Sequence, residues 1–315
     1  MAKKIKTRKK HSKLTAYNNW GYFFVAPFVI VFCIFSIYPV LRTLYLSFTD
    51  IKILKLNNDF NFVGFDNYVR VFKDKYFRQA LLNTCIIWGV NIVGQLGLAF
   101  LLMMVFSDVK YKMKGLSVFR LIYYLPNLIS AASIALLFAA LLDTHFGSIN
   151  VGLSQLFANL GKHYTLIKWL EDKWPARLSL STIQTWMWFG NSFLMLMAGV
   201  QGVSKDYLEA AAIDGASRWK IFGKITLPLI RPIMMYVAIT SFIGGMQLFD
   251  MPYLMVSQTT QTYKHVETAM MYLYRFAFNA KTTQLGFASA IAYSLFAIIL
   301  VVSIIQYNLF TKKED

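Results

Sequence analysis

The chain is short of charge, of cysteine and of clustered histidine, and each shortage argues against a class of protein. Asp, Glu, Lys and Arg make up 15% of its 315 residues, against about 25% in a soluble domain. Much of its surface therefore does not face water, in keeping with a mean hydropathy of +0.48. Cys33 and Cys85 both sit inside apolar runs, which argues against a disulfide framework or a zinc cluster. His11, His145, His163 and His265 are scattered, with no metal-ligand spacing. A G-x-x-x-x-G-K-S/T phosphate loop is also missing. The nearest imitation, Gly223-Lys224-Ile225, lacks the upstream glycine spacing and the hydroxyl.

What the sequence does have is length without charge. Six charge-free stretches meet or approach the roughly 20 residues a membrane helix needs: 14–41, 79–107 (from Gln79), 121–142, 178–204, 232–249 and 282–311. Net charge is +17, but the basic residues fall between these runs, as membrane topology requires and nucleic-acid binding does not. An even number of spans puts both termini on one side. If that side is the cytoplasm, the inner segments hold 18 Lys and Arg and the longer outer segments hold 13, the bias expected of cytoplasmic termini. The start, MAKKIKTRKKHSK, resembles the basic region of a signal peptide, but no small-residue cleavage site follows it, so the first span is expected to be retained. The expected layout is a cytoplasmic basic tail over 1–20, a first membrane helix over 21–45 and an extracellular loop over 46–79. A core with five further membrane helices over 80–310 and a short cytoplasmic tail over 311–315 complete it.

Two spans carry polar stripes. Thr84, Trp88, Asn91 and Gln95 share one helix face, as do Ser181, Gln184, Thr185, Trp188 and Ser192. Lipid would penalise such faces, so they point inward. They either line a path for a polar solute or hydrogen-bond between helices; both readings stay open. Gly286, Ala288, Ser289, Ala290 and Ala292 in the sixth span predict close helix packing.

Between the fourth and fifth spans lies Ser204-KDYLEAAAIDGASRWKIFGKITLPLIRP. Asp206 is a plausible N-cap and Gly215 can end the helix in the left-handed conformation. A second helical piece over 218–224 leads to Leu227-Pro228. Leu208, Ala211, Ile213 and Trp219 are expected to form the face toward the bundle, leaving a charged face for a partner. The run Glu209-Ala210-Ala211, Gly215 and Ile225-x-Leu227-Pro228, with Asp214 and Ala216, resembles the EAA signature of permeases in binding-protein-dependent ABC importers. Phe62-VGFDNYVRVFKD, Ala80-LLNT, Tyr38-Pro39 through Ser47-Phe48-Thr49, Tyr123-Tyr124-Leu125-Pro126 and Phe249-Asp250 are similar to stretches of the carbohydrate branch, the maltose, multiple-sugar and glycerol-3-phosphate permease family. Relatives often have a Gly-Gly-Pro run after the fifth span, where this chain has Ser257-Gln-Thr-Thr-Gln-Thr262.

The resemblance implies an all-α polytopic membrane protein of six transmembrane helices with the type I ABC importer permease fold. It also implies a cytoplasmic coupling helix over about 206–217, built on Glu209, Ala210, Ala211, Asp214, Gly215 and Ala216. The chain would be a non-catalytic permease subunit in the bacterial cytoplasmic membrane, holding no cofactor and no metal. ATP and magnesium would be used by two separate ATPase subunits. A second homologous permease, an extracellular solute-binding protein and the lipid bilayer would be its other partners. The cargo implied is a sugar or oligosaccharide. For the solute path the candidates are Gln184, Trp186, Trp188 and Asn191, with Gly244, Gly245, Gln247 and Asp250: aromatic faces for C–H surfaces, amides and a carboxylate for hydroxyls, glycines where backbone lines a cavity. Glycerol-3-phosphate is the rival cargo, but a phosphate site wants Arg or Lys deep in the spans, and only Arg42 approaches such a position. An ion-coupled secondary transporter needs buried ionisable groups, and the acidic residues all lie outside the six stretches. A lipid-linked glycosyltransferase needs clustered acids, and Asp143-Thr144-His145 and Glu171-Asp172 are isolated.

Overall fold

A backbone buried in lipid must satisfy its own hydrogen bonds, and helix is the solution this chain uses. A single bridge between Thr49 and Phe62 is the one strand-like pairing among the described residues. The computed structural model describes residues 18–52, 61–106, 115–256, 261–279 and 283–311. The basic run over 1–17, the tail from 312 and most of the Ser257–Thr262 turn lie outside the described residues.

Helix α1 (Asn18–Phe32) passes through a π turn (Cys33–Ile37) into α2 (Tyr38–Ser47). After α3 (Asp66–Lys73) come α4 (Lys75–Phe106), α5 (Leu116–Leu128), α6 (Ala131–Leu141), α7 (Ser148–Asn159) and α8 (Lys173–Gln201). Then follow the short α9 (Lys205–Ile213) and α10 (Arg218–Ile221), a second π turn (Phe222–Thr226), α11 (Leu227–Leu229) and α12 (Arg231–Met246). The chain closes with α13 (Asp250–Met255), α14 (Tyr263–Val266), α15 (Ala269–Phe278) and α16 (Leu285–Thr311).

Both π turns have one cause. Each is followed by one residue and then a proline, Tyr38 before Pro39 and Leu227 before Pro228. A proline ring clashes with the carbonyl four residues back. The helix widens, and the N–H of Tyr38 reaches Cys33 O while that of Leu227 reaches Phe222 O, five residues back.

Four helical stretches are long and apolar enough to cross a membrane: Gly21–Ser47, Lys75–Phe106, Arg231–Met255 and Leu285–Thr311. The structure departs from six uninterrupted spans at two places. The third expected span, 121–142, is broken: α5 and α6 meet at 86°, because Ser130 takes an extended conformation and caps α6 by accepting from the N–H of Ser133 at 3.1 Å. The fourth, α8, is one 29-residue helix, long enough to span but more polar than the other four.

That polarity is spent on α4. Asn83 Oδ1 accepts from Arg177 Nη2 at 2.5 Å, Ile87 O from Ser181 Oγ at 3.0 Å and Asn91 O from Thr185 Oγ1 at 3.2 Å. Each pair is 94 residues apart and each rung lies one helical turn beyond the last, so α4 and α8 run parallel and in register. Small residues allow the approach: a Cβ on Gly94 would stand 2.9 Å from Thr185 Oγ1. Gly190 lets α5 cross on the other side, since a Cβ there would lie 1.8 Å from Tyr123 O.

Three apolar clusters surround α4, which contributes Phe77, Ile87 and Met103 to one each. The end near Lys75 is latched by the polar residues of the 62–84 stretch. Asn67 Nδ2 donates to Ser47 O and Thr49 O at 2.9 and 2.8 Å. Asp74 accepts from the N–H groups of Tyr76 and Phe77, capping α4, and from Tyr272 Oη at 2.6 Å. Thr84 Oγ1 accepts from the N–H of Ala269 at 2.9 Å. Asn83→Ala leaves the 3%-exposed Arg177 without its amide partner. It is expected to lower stability in detergent by about 3 kcal/mol, while the exposed neighbour change Gln79→Ala stays within about 0.5 kcal/mol. Thermal unfolding of the two variants checks this; equal shifts would remove the ladder from the account.

Candidate functional site

A cavity of about 300 Å³ opens between α4, α8 and α12. Seven of the eight expected path residues line it: Gln184, Trp188, Asn191, Gly244, Gly245, Gln247 and Asp250. Trp186 does not. It sits two residues from Gln184 and so on another face of α8, where it packs edge-on against Phe138 with ring centroids 5.7 Å apart.

The residues of the polar stripes divide between helix contacts and the cavity wall. Thr84 and Ser181 are packed away in interhelical bonds. Trp88, Asn91, Gln95 and Ser192 face the cavity, and the last three are also held to one another. Gln95 Nε2 donates to Ser192 Oγ at 2.7 Å, and Gln95 Oε1 lies 3.4 Å from both Asn91 Nδ2 and Ser241 Oγ. Gln184 is buried and lines the cavity beside this network. The wall thus pairs fixed amides and hydroxyls with indole faces, and Asp250 is the only charged side chain among the described lining residues. Among the described residues no cluster of His, Cys, Asp and Glu could hold a metal ion.

Gly244 and Gly245 play different parts. Nothing lies within 4 Å of a Cβ placed on Gly244, so its backbone faces open space. A Cβ on Gly245 would lie 2.0 Å from Trp88 Cδ1. Trp88 cannot easily yield, since its Nε1 donates to Ser241 O at 3.1 Å and its ring meets Phe242 edge-on at 5.1 Å.

The second candidate surface is α9. Ser204, not Asp206, caps it, accepting from the N–H of Asp206 at 3.3 Å; Asp206 falls in the first turn instead, where a carboxylate suits the helix dipole. The helix stops at Ile213. The N–H of Ala216 bonds to Ala211 O and that of Gly215 to Ala212 O, with Gly215 at φ +75°, a left-handed C-terminal motif that glycine adopts without strain. Leu208 is buried and Ala211 and Ala216 are half-buried. Glu209, Ala210, Asp214 and Gly215 are exposed. Ile213 and Trp219, expected to face the bundle, are 85% and 73% exposed. They stand on the outer side with Tyr207, so the free face is apolar as well as charged. Arg218 ties this segment to the bundle, its Nη2 donating to Met104 O and Val105 O at 2.5 and 3.1 Å. These carbonyls belong to the last turn of α4.

Arg177 escaped sequence reading because it lies one residue outside the fourth charge-free stretch. It donates to Asn83 and, through Nε, to His265 O at 2.9 Å, which anchors the 264–267 segment over the α4 end. Glu267 in that segment pairs with Arg275 at 3.2 Å. Burial pushes its carboxyl above the ordinary range, against the pull of Arg275. Burial and the Glu267 charge push the Tyr263 hydroxyl up to about 12.

The cavity thus combines amides, hydroxyls and indoles with an apolar wall, among helices long and apolar enough to cross a membrane. The family described as binding-protein-dependent transport system inner membrane component matches residues 111–314, and the chain belongs to it. It is a multi-pass membrane protein, the permease subunit of such a transporter. It is 29% identical over 301 residues to the lactose transport system permease protein LacF of Rhizobium radiobacter, covering 96% of this chain and 97% of that one. Against the arabinooligosaccharides transport system permease protein AraP of Bacillus subtilis (strain 168) the identity is 30% over 293 residues, covering 91% and 87%. Its fold is shared with a chain of the crystal structure of a bacterial ABC transporter involved in the import of the acidic polysaccharide alginate. There the TM-score is 0.79 at 22% identity, covering 96% of this chain and 99% of that one.

Gly245→Ala is expected to displace Trp88 and lower the unfolding temperature by the equivalent of about 1–3 kcal/mol, whereas Gly244→Ala leaves it within a degree or so. Equal shifts in a thermal scan would show that the Trp88 contact does not set the requirement.

Proposed function

We propose that the chain forms half of the translocation path of an ATP-driven importer whose cargo is a sugar or oligosaccharide. The observation that carries this reading is the cavity wall: amides, hydroxyls and indole faces suit a polyhydroxylated solute, whose hydroxyls need fixed partners and whose C–H faces pack on aromatic rings. The names of LacF and AraP support the same class. Glycerol-3-phosphate fits less well, because no Lys or Arg is among the described lining residues and a phosphate would meet the Asp250 carboxylate instead.

In this reading α8 and the bent α5–α6 pair complete six spans, both termini are cytoplasmic, and α9 lies on the inner face. Residues 1–20 and 311–315 are then inner tails, 46–79 an outer loop and 80–310 the permease core. A second, homologous permease closes the other half of the path. A solute-binding protein delivers cargo from outside, and two ATPase subunits use ATP and magnesium below. The α9 segment is the coupling helix: Glu209 accepts charge-assisted hydrogen bonds from a basic group of the ATPase, Ala210 permits close approach, and the turn over Asp214, Gly215 and Ala216 keeps the helix flat on the bundle. A binding event shifts the bundle only through contacts that differ between its two states, and α9 supplies such a contact.

Glu209→Ala and Gly215→Asp are expected to insert and fold but to lose coupling, with uptake reduced at least tenfold; normal uptake together with normal ATPase co-purification would sink the assignment. Trp188→Ala and Gln247→Ala are expected to cut sugar-stimulated ATPase activity in proteoliposomes about tenfold. Wild-type rates for every sugar of a broad panel would remove the cavity from the path.

A further inference from the structure

Helix α15 carries two sets of aromatic side chains with opposite fates. Tyr272 and Phe276 turn toward Phe77 and Phe287 and close a core, with Tyr272 fully buried. Tyr274 and Phe278, one turn apart on another face, are left open. Their ring centroids are 4.9 Å apart, and Phe278 is 69% exposed. Across from them Phe249 and Tyr253 stack at 4.8 Å, and Tyr274 lies 4.9 Å from Phe249 and 5.3 Å from Tyr253. Phe249 is also a wall residue of the cavity, next to Asp250. The rings therefore make a continuous series, from an exposed outer member to the lip of the cavity, in steps of about one ring width.

The Tyr272 set is covered: Tyr272 is fully buried and Phe276 half-buried. The other set instead leaves Tyr274 and Phe278 exposed, with Phe249 and Tyr253 half-buried behind them, and has an exposed amide and carboxylate, Gln247 and Asp250, beside its inner end. The negative face of an aromatic ring attracts positively polarised C–H groups, and a sugar ring presents such groups on its face and hydroxyls at its rim. The geometry points to an approach track for an uncharged oligosaccharide: Phe278, Tyr274 and Phe249 hold successive sugar rings while the leading one is inside the cavity. This rests on the sugar-importer reading above and adds to it a chain-length preference. A disaccharide that has reached the cavity no longer touches the outer rings, whereas a tetrasaccharide still does. The carboxylate at the inner end disfavours uronic-acid chains.

The test uses the full complex in proteoliposomes, with saturating sugar-loaded binding protein and gluco- or arabino-oligosaccharides of two to five units. The variants are the pair Tyr274→Ser and Phe278→Ser, and the pair Tyr274→Leu and Phe278→Leu, which keeps apolar bulk should the serine pair fail to assemble. Transport of tetra- and pentasaccharides is expected to fall about tenfold in either pair, with disaccharide transport unchanged. Equal transport at all chain lengths would overturn the track. So would a uniform loss accompanied by weaker docking of the empty binding protein, which would make the rings a protein contact. If the wild-type complex moves no sugar of any length, the sugar-importer reading falls, and the track with it. Faster movement of a galacturonate tetramer than of its neutral counterpart would refute the role given to Asp250.

Discussion

The parallel ladder between α4 and α8 is the constraint on which the rest of the structure depends. Three rungs at one-turn spacing, from Asn83–Arg177 through Ile87–Ser181 to Asn91–Thr185, fix the two helices in both height and rotation. In lipid there is no hydrophobic drive to hold helices together, so close packing and hydrogen bonds must do it. Once the two are in register, their remaining polar faces converge on one side, and the cavity is the space they leave against α12. A slip of one residue would rotate Gln95 and Ser192 out of contact and turn Trp88 away from Gly245.

The 62–84 stretch, whose likeness to sugar permeases is one of wording, has a structural meaning. Asn67 holds the end of α2, Asp74 caps α4 and takes the Tyr272 hydroxyl, Asn83 holds the 264–267 segment and Thr84 holds the start of α15. None of these side chains is among the residues lining the cavity. They fasten the first and second spans, the 264–267 segment and α15 together at one end of the bundle, apart from the cavity wall.

Much of this was legible in the sequence, because helix periodicity and lipid exclusion act locally. The polar stripes of the second and fourth spans follow from spacing alone, as does the left-handed glycine after α9. What escaped was set by distant partners. Trp186 has the right chemistry for a sugar site, yet its angle on α8 directs it to Phe138. Ile213 and Trp219 are apolar, which in sequence points inward, yet of the apolar residues of this segment it is Leu208 that is buried. The break at Ser130 could not be told from a serine bonded within one continuous helix, since either conformation satisfies its hydroxyl. Arg177 carries no local sign of its role, because its amide partner stands 94 residues earlier.

The unbroken course of α4 has a mechanical consequence. It runs 32 residues, about 48 Å at helical rise, with no proline and no π turn. Its last carbonyls are gripped by Arg218, and its flank carries Trp88 and Gln95. The covalent route from α10 to α12, by contrast, passes through the π turn at Phe222–Thr226. The α9–α10 segment therefore meets the cavity by two unlike routes: a stiff one along α4 to the wall that carries Trp88 and Gln95, and a covalent one to the α12 wall that runs through the wider, less regular turn.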